Sequence, residues 1–74
     1  MLVEVRLFAT FRQGRFKTKQ IEFAEPSSLA DVLDDLKISR KEVGILLVNG
    51  RSASTDRRLA SQDVVSIFPL LGGG

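Results

Sequence analysis

The chain has 74 residues, of which 43% are hydrophobic and 27% are charged, and this balance is typical of a single small folded domain. The sequence has no cysteine or histidine, which excludes disulfides, thiolate nucleophiles and the commonest general base and metal ligand, so we expect neither an enzyme nor a metal site. The net charge of +2 and the lack of any segment approaching about 20 apolar residues favour a cytoplasmic protein with no nucleic acid and no membrane partner.

Two strands joined as a hairpin are predicted at the start of the chain. Residues 2–8 alternate between apolar and polar side chains, which is the period of a strand with one buried face. A glutamine-glycine turn at 13–14 leads to a second predicted strand over residues 16–23, with Ile21 and Phe23 facing inward.

One amphipathic helix is predicted over residues 28–37. Ser28 and Asp31 have the spacing of a capping box at its start. Four apolar side chains then recur at the spacing of one helical face: Leu29, Val32, Leu33 and Leu36. This stripe is suited to covering one face of a sheet.

Three further strands are predicted in the second half. Residues 45–48 are continuously apolar, as expected of a central strand, and the asparagine-glycine dipeptide after them favours a type I′ turn into a short return strand at 51–53. Residues 54–63 are expected to form a loop with one helical turn. The last strand is predicted over residues 64–68 and ends at Pro69.

The resulting order β-β-α-β-β-β predicts an α+β fold of the ubiquitin-like β-grasp type, with a mixed sheet and one main helix packed across it. We expect residues 1–74 to form a single domain, with residues 69–74 as a flexible C-terminal tail. Glycine has no side chain, so a tail that ends in three glycines can enter a channel too narrow for other residues and deliver a terminal carboxylate. Fully extended, these six residues reach about 20 Å.

Three segments of the sequence resemble the MoaD/ThiS family of ubiquitin-like sulfur carriers, and they are more similar to the small subunit of molybdopterin synthase than to the thiamine carrier. These segments are residues 5–12, 47–51 and 62–74. The last segment is the specific one, because four of its residues match the family at the same spacing: Asp63, Pro69, Gly73 and Gly74. Two residues depart from the family pattern, since Gln62 replaces a usual glycine and Leu70 a common second proline.

The resemblance implies a carrier whose chemistry is done by its partners. An adenylating enzyme of the MoeB/ThiF type, related to the ubiquitin activators, would use ATP to activate the carboxylate of Gly74. A sulfur donor would then displace AMP and leave a thiocarboxylate, which a molybdopterin synthase large subunit of the MoaE type would use to make the molybdenum or tungsten cofactor. Gly72 and Gly73 would thread the tail into these sites, and the carrier itself would bind no cofactor.

Two aromatic side chains are predicted to form a docking surface. Phe8 and Phe68 fall on the side of their strands opposite the inward residues, and large aromatics there often mark a partner site, although they can also cover an edge of the core. The full set of predicted partner-binding residues is Arg6, Phe8, Arg12, Phe68, Pro69, Leu70 and Leu71. The two arginines are expected to pair with acidic residues of a partner.

Several alternatives remain open from the sequence. The glycine end can also be a disordered terminus. The carrier can serve thiamine synthesis instead, or it can be a protein modifier joined to lysines through Gly74. Basic residues interleaved with Phe11 and Phe16 superficially suggest single-stranded nucleic-acid binding, but a solvated hairpin fits the low net charge better.

Overall fold

The computed structural model describes residues 1–70 of the chain. Its regular elements are β1 (Leu2–Leu7), β2 (Thr18–Glu22), α1 (Leu29–Asp35), β3 (Val43–Val48), β4 (Arg51–Ser52) and β5 (Val64–Pro69). Within these 70 residues the strands form one mixed sheet in the order β2-β1-β5-β3-β4. β1 and β5 are parallel and the other neighbours are antiparallel, so the predicted mixed sheet with one α-helix is confirmed.

The hydrophobic core lies between α1 and the face of the sheet that it covers. The most deeply buried side chains are Val3, Val5, Leu7, Leu29, Val32, Leu33, Val65 and Ile67. They come from the two parallel strands, β1 and β5, and from the predicted helix stripe, and each stabilises the fold by about 2 kcal/mol relative to an exposed position. The alternation in β1 and the helical period therefore placed the core correctly.

The connection between β1 and β2 differs from the predicted simple turn. The two strands pair as an antiparallel hairpin, but a 3₁₀ helix over Ala9–Arg12 lies between them and buries Phe11. The second strand is also shorter than expected. Phe23 is buried, as predicted, whereas Ile21 is only half-buried on this edge strand.

Helix α1 ends two residues earlier than the predicted range of 28–37. Its start is as expected, because the backbone N–H of Ser28 donates to the carboxylate of Asp31 at 2.8 Å. Its end is a Schellman motif in which Lys37 adopts a φ of +58°. The backbone N–H of Ile38 donates to the carbonyl of Leu33 at 2.9 Å, which closes the last turn. Lysine in the position usually held by glycine hid this stop signal in the sequence.

The turn after β3 is confirmed, since Asn49 and Gly50 both have positive φ, +53° and +82°. The return strand β4 is one residue shorter than predicted. The helical turn predicted within residues 54–63 is wrong, because this loop is held by α1 instead. The first amide groups of α1 donate to two carbonyls of the loop, Leu29 to Arg57 at 3.1 Å and Ala30 to Thr55 at 2.9 Å.

A buried carboxylate fixes the start of β5. Asp63 accepts hydrogen bonds from the side-chain amide of Asn49 at 2.9 Å and from the backbone N–H of Ala60 at 2.8 Å. The side-chain oxygen of Asn49 accepts from the backbone N–H of Val64 at 2.9 Å. The turn after β3 and the strand that leads to the tail are thus joined by one hydrogen-bonded junction.

Gln62 offers a test of this junction, because its φ of +71° is unfavourable for a residue with a side chain. We expect Gln62→Gly to raise the free energy of unfolding by about 1 kcal/mol, measured by urea denaturation. Gln20→Gly, an exposed change within β2, is the matched control and is expected to lower stability. A Gln62→Gly protein less stable than the parent would contradict the prediction.

Candidate functional site

Phe8 and Phe68 form an aromatic pair on the outer face of the sheet, opposite α1. Their ring centroids are 4.1 Å apart and their planes differ by 9°, so the rings are stacked. The pairing follows from the parallel register of β1 and β5, in which Leu7 lies opposite Ile67 and the next residues are therefore neighbours. Both rings are half-buried and leave part of their surface open to solvent. The structure thus brings the two predicted aromatic residues together.

Ile45 extends the aromatic pair across the sheet. It is the cross-strand partner of Phe68 and is 53% exposed, so Phe8, Phe68 and Ile45 form an apolar row over three strands. Leu47 is half-buried further along β3, opposite Ser66. Exposed apolar side chains in a contiguous patch are typical of docking surfaces.

The sequence prediction missed Ile45 because it interpreted residues 45–48 as a central strand without assigning its side chains to the two faces of the sheet. Leu46 and Val48 are buried, and Ile45 and Leu47 alternate with them on the other face. The sequence did contain information that predicts this. A small sheet that is covered by one helix has one face without a cover, so every second residue of an apolar strand must lie on that open face.

The two predicted arginines lie beside the aromatic pair but in different environments. The guanidinium carbon of Arg12 is 5.3 Å from the centroid of Phe8, and its Nε donates to the carbonyl of Leu7 at 2.7 Å. Arg6 pairs with the carboxylate of Glu4 at 2.6 Å. Together with Lys17 they line an open cleft of about 280 Å³. The three cations of this cleft outnumber its one acidic residue, Glu4, so the cleft is suited to binding a carboxylate of a partner.

The base of the predicted tail is more ordered than the sequence suggested. Pro69 belongs to β5, opposite Val43, and its side chain is buried, so the predicted tail can begin no earlier than Leu70. Pro69 is therefore an anchor of the tail, and its predicted contact with a partner stays a prediction. Leu70 is 66% exposed, and its backbone N–H donates to the carbonyl of Glu42 at 2.8 Å. The other predicted tail residues lie outside the described residues: Leu71, Gly72, Gly73 and Gly74.

Leucine at position 70 also has a structural consequence. A second proline, which is common at this position in the family that the sequence resembles, has no N–H and could not make the hydrogen bond to Glu42. In this chain Leu70 is thus held by a backbone hydrogen bond, where a proline ring would restrict φ instead.

The described part of the chain was also compared with the requirements of a metal site and of a membrane span. Among residues 1–70, no group of three or more acidic, histidine or cysteine side chains could hold a metal ion. An open cleft of about 480 Å³ lies beside β4, at the opposite end of β3 from Ile45. None of the helices within residues 1–70 is long and apolar enough to cross a membrane.

Comparison with known proteins gives a family and a fold. The model of the ThiS family matches residues 5–74. A putative molybdopterin converting factor, subunit 1, from Pyrococcus furiosus is 30% identical, with a TM-score of 0.79 over 96% of this chain and 99% of that chain. A comparison with curated proteins found no match.

Two more distant structures agree in fold alone. SAMP1 from Haloferax volcanii is 22% identical, with a TM-score of 0.76 and full coverage of both chains. The complex of subunits 1 and 2 of the molybdopterin-converting factor from Helicobacter pylori contains a chain 21% identical, with a TM-score of 0.68 over 100% of both chains. These likenesses confirm the predicted ubiquitin-like β-grasp fold.

Proposed function

The chain belongs to the ThiS family of small ubiquitin-like sulfur carriers and modifiers, and we propose that it is a sulfur carrier that acts as a thiocarboxylate at Gly74 in molybdopterin synthesis. Proteins of this kind are carrier subunits and are not catalysts themselves. The observation that carries the proposal is the family match, which continues through residue 74. The apolar row supports it, because Phe68 lies one residue before the anchor of the tail.

The proposed chemistry needs a partner because a free carboxylate resists substitution. Its charge repels nucleophiles, and its oxygen is a poor leaving group. In the proposed first step a carboxylate oxygen of Gly74 bonds to the α-phosphorus of ATP and pyrophosphate leaves. In the second step a sulfur nucleophile, with hydrosulfide as the simplest donor, bonds to the acyl carbon and AMP leaves. An adenylating enzyme of the MoeB/ThiF type binds the ATP and catalyses the first step, and a sulfur donor supplies the nucleophile of the second.

The outer face of the sheet is the proposed docking surface for that enzyme and for a synthase large subunit. Phe8, Phe68 and Ile45 supply the kind of aromatic and aliphatic anchors that dominate protein interfaces. Arg12, held against Phe8, supplies a cation at the rim. The Helicobacter pylori complex of subunits 1 and 2 supports a large subunit of the MoaE type as one partner.

A second candidate function is protein modification through Gly74. The fold likeness to small archaeal modifier protein 1 of Haloferax volcanii, with a TM-score of 0.77 at 20% identity, is compatible with it. A modifier would form an isopeptide bond from the same acyl-adenylate to a lysine of another protein. Conjugates of higher mass that disappear when Gly74 is deleted would identify this function.

Deletion of the gene in its own host tests the proposed pathway. We expect loss of molybdenum or tungsten enzyme activity, restoration by the full chain, and normal growth without thiamine. An unchanged level of the molybdenum or tungsten cofactor in the deletion strain would overturn the proposal. A requirement for thiamine in the same strain would assign the carrier to thiazole synthesis instead.

A further inference from the structure

Gly44 is placed where no side chain fits. A Cβ atom built on it would lie 2.7 Å from the carbonyl oxygen of Pro69, 3.0 Å from the carbonyl carbon of Pro69 and 3.2 Å from the Cα of Leu70. All three are main-chain atoms, which cannot swing aside as the end of a flexible side chain can. Glycine is needed here for the close approach of two backbones.

This contact belongs to a small set of interactions that we call the tail clamp, formed by Glu42, Val43 and Gly44 with Pro69 and Leu70. Val43 lies opposite Pro69, and the carbonyl of Glu42 accepts the backbone N–H of Leu70 at 2.8 Å. The register shifts between Val43 and Ile45, so Gly44 lies at a bulge in β3. The clamp thus holds the last described residues against β3.

The position of the clamp joins the tail to the apolar row. Ile45 follows Gly44 directly, and Phe68 precedes Pro69, so both sides of the clamp are continuous with the proposed docking surface. Only four residues separate Leu70 from the end of Gly74, a reach of about 13 Å when fully extended. Because the tail is this short, a shift of its base shifts the region that the carboxylate of Gly74 can reach while the partner is docked.

We propose that Gly44 is a positioning residue that fixes the direction in which the tail leaves the domain and so aligns the carboxylate of Gly74 for adenylation. This inference rests on the proposed function. Gly44 touches neither ATP nor the reacting atoms, and it acts through Pro69 and Leu70. A misplacement of about 1 Å at a reacting centre can lower a rate about 100-fold, so the effect of a displaced base is large.

The test compares Gly44→Ala with Gly50→Ala. A Cβ at Gly50 meets no atom within 4 Å, but its φ of +82° strains alanine, so this control destabilises the fold without touching the clamp. The first readout is the hydrogen exchange of the Leu70 amide by NMR. The second is ATP–pyrophosphate exchange by the adenylating enzyme of the same organism, run where thermal unfolding shows both variants to be folded.

We expect Gly44→Ala to speed exchange of the Leu70 amide and to lower kcat for adenylation about tenfold, with KM for the carrier within about twofold of the parent value. Gly50→Ala is expected to leave the exchange rate of the Leu70 amide, kcat for adenylation and KM for the carrier at the parent values. Equal kcat for the two variants would overturn the positioning role. So would exchange of the parent Leu70 amide at the rate of an unstructured peptide, a measurement that needs no variant.

The failure of the proposed function would look different. If the parent chain supports no pyrophosphate exchange with an enzyme shown to adenylate another carrier, the sulfur-carrier proposal falls, and the positioning role falls with it. If the parent chain is adenylated and Gly44→Ala is adenylated equally well, only the positioning role falls.

Discussion

A chain that lacks Gly74 is expected to form no acyl-adenylate and to accept no sulfur. The deletion leaves the terminal carboxylate on Gly73, about 3.3 Å short of the position that the carboxylate of Gly74 reaches. Reacting atoms must approach within about 3.5 Å before a bond forms, so the shortened chain no longer brings its carboxylate to the α-phosphorus of ATP. The measurement is ATP–pyrophosphate exchange with the adenylating enzyme, followed by intact mass after addition of sulfide.

Two controls separate this loss from damage to the fold. The free energy of unfolding of the shortened chain is expected to equal that of the full chain, because Gly74 has no side chain to bury and the described core residues all precede Pro69. A chain with one residue added after Gly74 is expected to be equally inactive, since its carboxylate is displaced in the other direction. Sulfur acceptance by the shortened chain would show that Gly74 is not the reacting residue.

Phe68→Ala is expected to weaken binding to the synthase large subunit by about 30-fold, which corresponds to about 2 kcal/mol. The substitution removes the ring that Phe8 stacks on and that lies opposite Ile45, so it interrupts the apolar row at its centre. Isothermal titration calorimetry with the large subunit of the same organism measures the change. The adenylation reaction is expected to show a raised KM for the carrier with kcat nearly unchanged.

Phe16→Ala is the matched control for this prediction. Phe16 is also a half-buried phenylalanine, but it lies beside Lys19, whose ammonium is 5.8 Å from its ring, and not in the apolar row. The control is expected to cost stability without changing the affinity for the large subunit. If the two variants weaken binding equally, the apolar row is not the docking surface.

The parts of the fold that repeat with a regular period were predictable from the sequence. Alternation placed Val3 and Val5 inside and Phe8 outside, and the helical spacing placed Leu29 and Leu33 in the core. These patterns are local in sequence and are set by the geometry of strands and helices.

The parts set by tertiary contacts were not predictable. Residues 54–63 contain turn-forming residues, but their course is decided by carbonyls that accept hydrogen bonds from Leu29 and Ala30. The end of α1 depends on Lys37 in a conformation that glycine usually adopts. The partner that decides the course of the loop is distant in sequence, and the residue that ends α1 is atypical, so the local pattern predicted a helical turn that is absent from the described loop and a helix that is too long.

The candidate site divides in the same way. The alternation of side chains predicted that Phe8 and Phe68 face outward. The position of Ile45 beside them could be known only from the register of β3 against β5. The importance of Gly44 was invisible in the sequence, because a glycine does not reveal which backbone passes close to it. The roles of Gly72, Gly73 and Gly74 rest on the lack of side chains in the tail and on the family resemblance, and they stay predictions.

The intact mass of the protein purified gently from its own host tests the central claim most directly. The account predicts a species heavier by the exchange of one oxygen for one sulfur, located by fragmentation at Gly74 and formed again in vitro with the adenylating enzyme, ATP and sulfide. An unmodified mass from the host and after incubation with an adenylating enzyme proven active on another carrier would contradict it.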